Sequence, residues 1–262
     1  MILDAEVDDG VTLRAHASGP PGAPAVVLLH SLGCDHAMWD PQIQALSERF
    51  RVVAPDARGH GRSAVPTGDY TLDRLGRDVL AILDAAGIGK AHVCGLSMGG
   101  LVAQWLAIYA PTRVDRLVLA NTASRIGSEP LWRQRQAALQ EGGMAAISEA
   151  VLGRFFQPGF SPDIVSRFRT RLLTTPVEGY AGCCAALRDG DLTAKLGMIA
   201  SPSLVIVGQH DRSTPPEQGQ AIANSTPGAR LLSLPTAHLS SVERADAFTG
   251  ALLEHVTRLE TH

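Results

Sequence analysis

Residues 91–110 hold an apolar run of strand length, Ala91–Cys94, and one of helix length, Leu101–Ala110, joined by Gly95-Leu96-Ser97-Met98-Gly99. A serine between two glycines in a G-x-S-x-G frame, with a strand before it and a helix after it, has the context of a nucleophile elbow. Such a turn holds the serine backbone at positive φ. It crowds the residues two before and two after the serine, where Gly95 and Gly99 carry no Cβ to clash. The Ser97 hydroxyl would then stand clear of the sheet, with the N–H groups of the helix start aimed the same way. A turn of this kind directs the chain toward the α/β class.

The rest of the chain repeats the same alternation. Val11–Ala15 and Ala25–Leu29 read as strands, the second apolar throughout and so buried on both faces. Pro41–Phe50 reads as a helix and Arg51–Ala54 as a strand. Leu72–Ala86 reads as a helix, with apolar residues at 72, 75, 79, 80, 82 and 83 and a stop at Gly87. Arg113–Ala120 is the next strand, and after Asn121 the rhythm stops. From about Ser124 to Leu196 the patterns are helical. Leu131–Gln140 and Ala145–Phe156 are the clearest helices there, and Pro158, Pro162 and Pro176 mark connections. Strand character resumes at Ser203–Val207 and Ala229–Leu234, with helices near Pro216–Ala223 and at Ala245–Val256. The alternation predicts a mostly parallel central sheet flanked by helices. The helical stretch predicts an insertion: a core of residues 1–123 and 199–262, and a helical lid, 124–198, over the carboxyl edge of the sheet.

Composition narrows the partners. A chain of 262 residues, 45% hydrophobic and 19% charged, has ordinary globular composition and suits one sizeable domain. No apolar run approaches the roughly 18 residues of a membrane-spanning helix. Met1–Glu6 is acidic where a secretory signal would be basic, so a cytoplasmic location is expected. A net charge of −3 with no basic tract argues against nucleic acid. Cys34, Cys94, Cys183 and Cys184 show no metal-ligand spacing and read as free thiols. No pair among the nine histidines has such spacing either, so no metal is expected.

A serine hydroxyl is a poor nucleophile until a base takes its proton. His238 is the candidate base, because its loop, Pro235–Leu239, follows the strand Ala229–Leu234 and opens on the same edge as the elbow. Asp211 ends the run Leu204-Val205-Ile206-Val207-Gly208-Gln209-His210 and lies between serine and histidine in chain order, as this architecture requires. It would fix the imidazole tautomer and stabilise the imidazolium. An oxyanion hole needs two N–H donors. Met98 at the helix start and Leu32 in the loop His30-Ser31-Leu32-Gly33-Cys34 are the candidates. His30 reads as a loop anchor, His60 as part of a structural turn, and His210 as pointing away. His16, His36, His92, His255 and His262 read as surface or packing positions.

Together these residues resemble the α/β-hydrolase superfamily over almost the whole chain. Four stretches resemble the 3-oxoadipate enol-lactonases within it. They are His30–Gly33 with Met38–Gln42, Trp132 with Arg135, the run Gly179–Asp189, and Ala237–Glu243. His30 and Ser241 depart from the asparagines common there. The resemblance implies hydrolysis of 3-oxoadipate enol-lactone to 3-oxoadipate in aromatic-compound catabolism, without a cofactor and with a small anionic lactone as partner. That substrate carries a carboxylate. Trp132 and Arg135, three apart on one helix face, would meet it, with Arg133 and Arg188 as competing cations. The same triad also serves carboxylesterases, meta-cleavage product hydrolases, cofactor-free perhydrolases and non-catalytic receptors on this fold. Only the lid separates the enzymes among them, and slow turnover with tight ligand retention would mark a receptor.

Overall fold

The computed structural model describes residues 1–258, so His262 and the end of the segment 199–262 lie outside the described residues. Its eight strands are β1 (Ile2–Glu6), β2 (Thr12–Ser18), β3 (Ala25–Leu29), β4 (Arg51–Pro55), β5 (Ala91–Leu96), β6 (Val114–Ala120), β7 (Ser203–Gly208) and β8 (Arg230–Leu234). They form one sheet in the order β1-β2-β4-β3-β5-β6-β7-β8. The pairs β1–β2 and β2–β4 are antiparallel, and every other neighbouring pair is parallel. β3, β5 and β7 are buried along their whole length, as strands covered on both faces must be. β1 left no periodicity to read because Ala5 is its one buried residue, and it serves as an edge strand.

The first helices are α1 (Asp40–Leu46), α2 (Leu72–Ala85) and α3 (Met98–Tyr109). α1 is shorter than the expected Pro41–Phe50. The Ser47 backbone N–H and hydroxyl both donate to Ile43 O and end the helix before the chain turns into β4. α2 starts at Thr71, whose hydroxyl accepts from Arg74 N at 3.1 Å, an N-cap that satisfies one orphan donor.

Between β6 and β7 the chain is helical: α4 (Glu129–Phe155), α5 (Pro162–Thr174) and α6 (Val177–Asp189). α4 is bent at Gly143 (φ 61°, ψ −159°) into two limbs, which correspond to the two helices expected there. α5 corrects the reading of Pro162 as a connection. Proline at the first helical position lacks only an N–H that would have no intrahelical partner, so Pro162 opens the helix. The apolar stripe of α5 is thin, with Phe168 and Leu172 its buried residues. The chain closes with α7 (Pro216–Ser225), the short α8 (Ser240–Glu243) and α9 (Ala245–Thr257). α1 packs on α9, α2 on α3, and α4 on both α5 and α6. No helix among the described residues is long and apolar enough to cross a membrane.

Candidate active site

The residues singled out above sit at the carboxyl ends of β3, β5, β7 and β8, where open parallel sheets bind ligands. Ser97, between β5 and α3, has φ 57° and ψ −116°. A Cβ at Gly95 would lie 2.1 Å from Gly99 O, and one at Gly99 would lie 2.1 Å from Leu29 O. Gly99 N donates to His30 O at 3.1 Å, so the elbow and the loop after β3 touch backbone to backbone. Thr122 Oγ1 donates to Ser97 O at 2.8 Å and fastens the turn from the β6 side.

Asp211 and His238 are both buried, and His238 Nδ1 lies 2.8 Å from Asp211 Oδ2. An ionised carboxylate only accepts, so Nδ1 carries the proton and Nε2 is left with a lone pair. Oδ2 also accepts from Asn121 Nδ2 at 3.0 Å and Thr214 Oγ1 at 2.8 Å. Oδ1 accepts from Ser213 N at 2.8 Å and Thr214 N at 3.1 Å. Burial acts to raise the Asp211 carboxyl. The facing His238 charge and the bonds from His238, Asn121 and Thr214 outweigh it and hold the pKa at about 2.

Asn121 is a residue the sequence reading passed over. It has φ 44° at the end of β6, and its side chain also donates to Ala237 O at 3.2 Å and accepts from the Ser240 hydroxyl. It ties the Asp211 loop to the His238 loop. The break in the strand–helix rhythm at 121 was its one signal.

Ser97, His238 and Leu32 line a cavity of about 170 Å³ together with Trp132, Arg135, Arg154, Phe155, Tyr180 and Arg212, among others. No hydrogen bond joins Ser97 Oγ to His238 among the described residues. Such bonds are often loose before substrate binds. The Leu32 N–H donates to no backbone acceptor among the described residues. Met98 is buried outside this lining, and its N–H opens α3, where no intrahelical carbonyl faces it. Phe155, at the end of α4, lies 6.1 Å from the His238 ring centre at an interplanar angle of 21°.

Of the three arginines proposed for a carboxylate, Arg135 alone lines this cavity. Its guanidinium lies over the Trp132 ring at 5.0 Å, and Trp132 Nε1 donates to Ile126 O at 2.6 Å. Arg133 pairs with Glu129, and Arg188 with Asp69 and Asp189, all away from the cavity. Arg154 and Arg212 were missed. One follows an apolar helix face and the other directly follows Asp211, positions that carry no charge pattern of their own.

The loop carrying Leu32 rests on two buried imidazoles. His30 Nδ1 donates to Ser31 O at 2.8 Å while its Nε2 accepts from Ala57 N at 2.9 Å. His60 Nε2 accepts from Gly33 N at 3.1 Å. Burial, with the neighbouring His30 charge second, pushes His60 down to about 3, and burial lowers His30 as well. Burial likewise lowers His92 and His255, while a hydrogen bond to Asp56 raises His36, which is therefore an ion-pair partner rather than a plain surface residue.

Between pH 6.5, where His60 titrates in the unfolded chain, and its folded value near 3, the unfolded state binds the extra proton. Acidification through this window removes stability. His60 alone accounts for about 2 kcal/mol between pH 7 and 5. His36, stabilising below its folded pKa, offsets part of the sum over all the histidines. The thermal midpoint is expected to fall by about 5 °C between pH 7 and 5. A midpoint that holds steady over that range in a calorimetric scan would contradict this account of the loop. Among the described residues no cluster of three or more His, Cys, Asp or Glu is placed to ligate a metal.

Residues 24–245 match the model of the alpha/beta hydrolase fold family, and the chain belongs to that family. By family it is a hydrolase. Over 245 residues, 92% of each chain, it is 39% identical to 3-oxoadipate enol-lactonase 2 of Acinetobacter baylyi. The crystal structure of the enol-lactonase from Burkholderia xenovorans LB400 superposes with a TM-score of 0.95 at 41% identity, covering 97% of this chain and 100% of that one. A putative carbamate hydrolase, RutD of Variovorax paradoxus, is 34% identical over 257 residues, 94% of this chain and 97% of its own.

Proposed function

We propose that this chain opens 3-oxoadipate enol-lactone to 3-oxoadipate, with Ser97 as nucleophile, His238 as general base and Asp211 as the acid that orients it. The observation that carries the reading is an arginine-lined cavity that brings Ser97 and His238 together under the helical segment, in a chain about 40% identical to enol-lactonases. His238 Nε2 takes the Ser97 proton as Oγ attacks the lactone carbonyl, and the Leu32 and Met98 N–H groups receive the oxyanion. The ring C–O bond breaks, and the leaving enolate oxygen takes the proton from His238 Nε2. An enolate is a far better leaving group than an alkoxide, and the released enol tautomerises to the ketone. His238 then activates water against the acyl group, and Ser97 is regenerated.

Residues 124–198 act as the lid, and Arg135 on its first helix limb receives the substrate carboxylate, with Trp132 as a flat wall. Replacing Arg135 by alanine is expected to raise KM for the anionic lactone by roughly 10–100-fold, as loss of a charge-assisted contact implies. KM for a neutral p-nitrophenyl ester should change far less. Equal losses on both substrates would mean a packing defect and return Arg135 to a structural role. The primary test is loss of the enol-lactone with purified protein, against a panel of p-nitrophenyl ester, dienone and carbamate. Faster turnover of any panel member than of the lactone would overturn the substrate assignment.

A further inference from the structure

Arginines in the helical segment outside the cavity have acidic partners: Arg125 with Asp191, Arg133 with Glu129, Arg169 with Glu149, Arg171 with Asp35, and Arg188 with Asp69 and Asp189. Arg167 is the exception, exposed to solvent, apart from the cavity and without an ion pair among the described residues. The three arginines that line the cavity behave differently. Arg135, Arg154 and Arg212 form no ion pair with any carboxylate among the described residues, and no acidic residue lines the cavity with them. Besides the Trp132 ring, Arg135 meets the Tyr180 hydroxyl at 3.5 Å, and both partners are neutral groups.

Three like charges gathered in one cavity repel one another. Arg154 shows the cost: burial, then the charges of Arg135 and Arg212, lower its pKa from the usual guanidinium value. Arg135 and Arg154 are half-buried, while Arg212 is more open to solvent. Arg135 and Arg154 also line an adjoining cavity of about 190 Å³ between the two limbs of α4, with Leu131 and Val151 common to both spaces. An anion entering the cavity relieves that repulsion, and a single carboxylate leaves two of the three positive charges unmatched.

We propose that Arg154 and Arg212 form a second anion subsite beside Arg135, so that the cavity is built for a dicarboxylate and not for a single carboxylate. The inference rests on the lactonase reading in one respect: opening a lactone that already bears a carboxylate creates a second one in the same cavity. Arg135 then holds the first carboxylate, while Arg154 and Arg212 face the charge that appears as the ring opens. The preferred small ligand of the resting protein is accordingly a flexible dianion of about six carbons.

Titration calorimetry of the full chain with adipate and with hexanoate, equal in carbon number and different in charge, tests this without any turnover. Adipate is expected to bind at least about 10-fold more tightly. Arg154→Ala and Arg212→Ala should each weaken adipate by about 10-fold and hexanoate by less than about 3-fold, whereas Arg135→Ala should weaken both. Arg154→Gln, which keeps most of the side-chain volume, guards against a lid that fails to pack, and thermal scans verify each variant. Equal affinities for the two acids in the wild type would overturn the proposal. So would adipate binding that survives substitution at both 154 and 212. Because no lactone is used, a protein that prefers adipate through these arginines yet leaves the enol-lactone intact would refute the substrate assignment alone.

Discussion

Ser97→Ala is expected to lower turnover on the lactone by roughly 10⁶-fold while leaving a folded protein, since a triad serine acts as a unit with its base. Its hydroxyl makes no hydrogen bond among the described residues, and alanine at φ 57° bears the same backbone strain as serine. The thermal midpoint should therefore move by no more than about 2 °C. Stopped or continuous assays beside a thermal scan separate the two quantities. A variant that keeps about a tenth of wild-type turnover would remove Ser97 from the chemistry.

The second large effect is at Asp211. All five groups around its carboxylate donate: His238 Nδ1, Asn121 Nδ2 and Thr214 Oγ1 to one oxygen, Ser213 N and Thr214 N to the other. Asparagine has one NH₂ group, and either orientation aims it at donors. If the amide oxygen takes the His238 side, its NH₂ meets two backbone N–H groups. If the NH₂ takes that side, the imidazole is driven to the other tautomer and loses the Nε2 lone pair that Ser97 needs. Asp211→Asn is expected to lower turnover by about 10⁴-fold and stability by about 1–3 kcal/mol. Normal turnover at neutral pH with the His238 signal unchanged by NMR would mean that another acid orients the ring.

The sheet was legible wherever burial was complete. β3 and β7 are apolar runs closed by a polar turn, and the elbow between β5 and α3 is written in three residues, Gly95, Ser97 and Gly99. Edge and surface elements were harder to read, because one buried residue in β1 or two in α5 leave no period. Ser97, Asp211 and His238 were legible because each ends or follows a strand in a known chain order. Asn121 and the two further arginines were not, because what they do depends on neighbours far away in sequence. Asn121 meets Asp211 across 90 residues, and Arg154 meets Arg212 only once the segment after β6 folds back over the sheet.

The contact between Gly99 and the loop after β3 bears on how such a protein can change over evolutionary time. Two peptide N–H groups from separate segments are held in register by main-chain atoms, with a glycine hydrogen where a side chain would otherwise intrude. Side chains brace that backbone from behind, Thr122 Oγ1 at the Ser97 carbonyl and His60 Nε2 at the Gly33 N–H, without entering the gap between the two segments. In the proposed reading recognition is written instead in side chains, those of α4 and α6 on the segment between β6 and β7, and that of Arg212 after β7. Reaction and recognition are therefore separately mutable. On that reading a new substrate can be reached by editing those side chains, while the backbone beneath is left as it is.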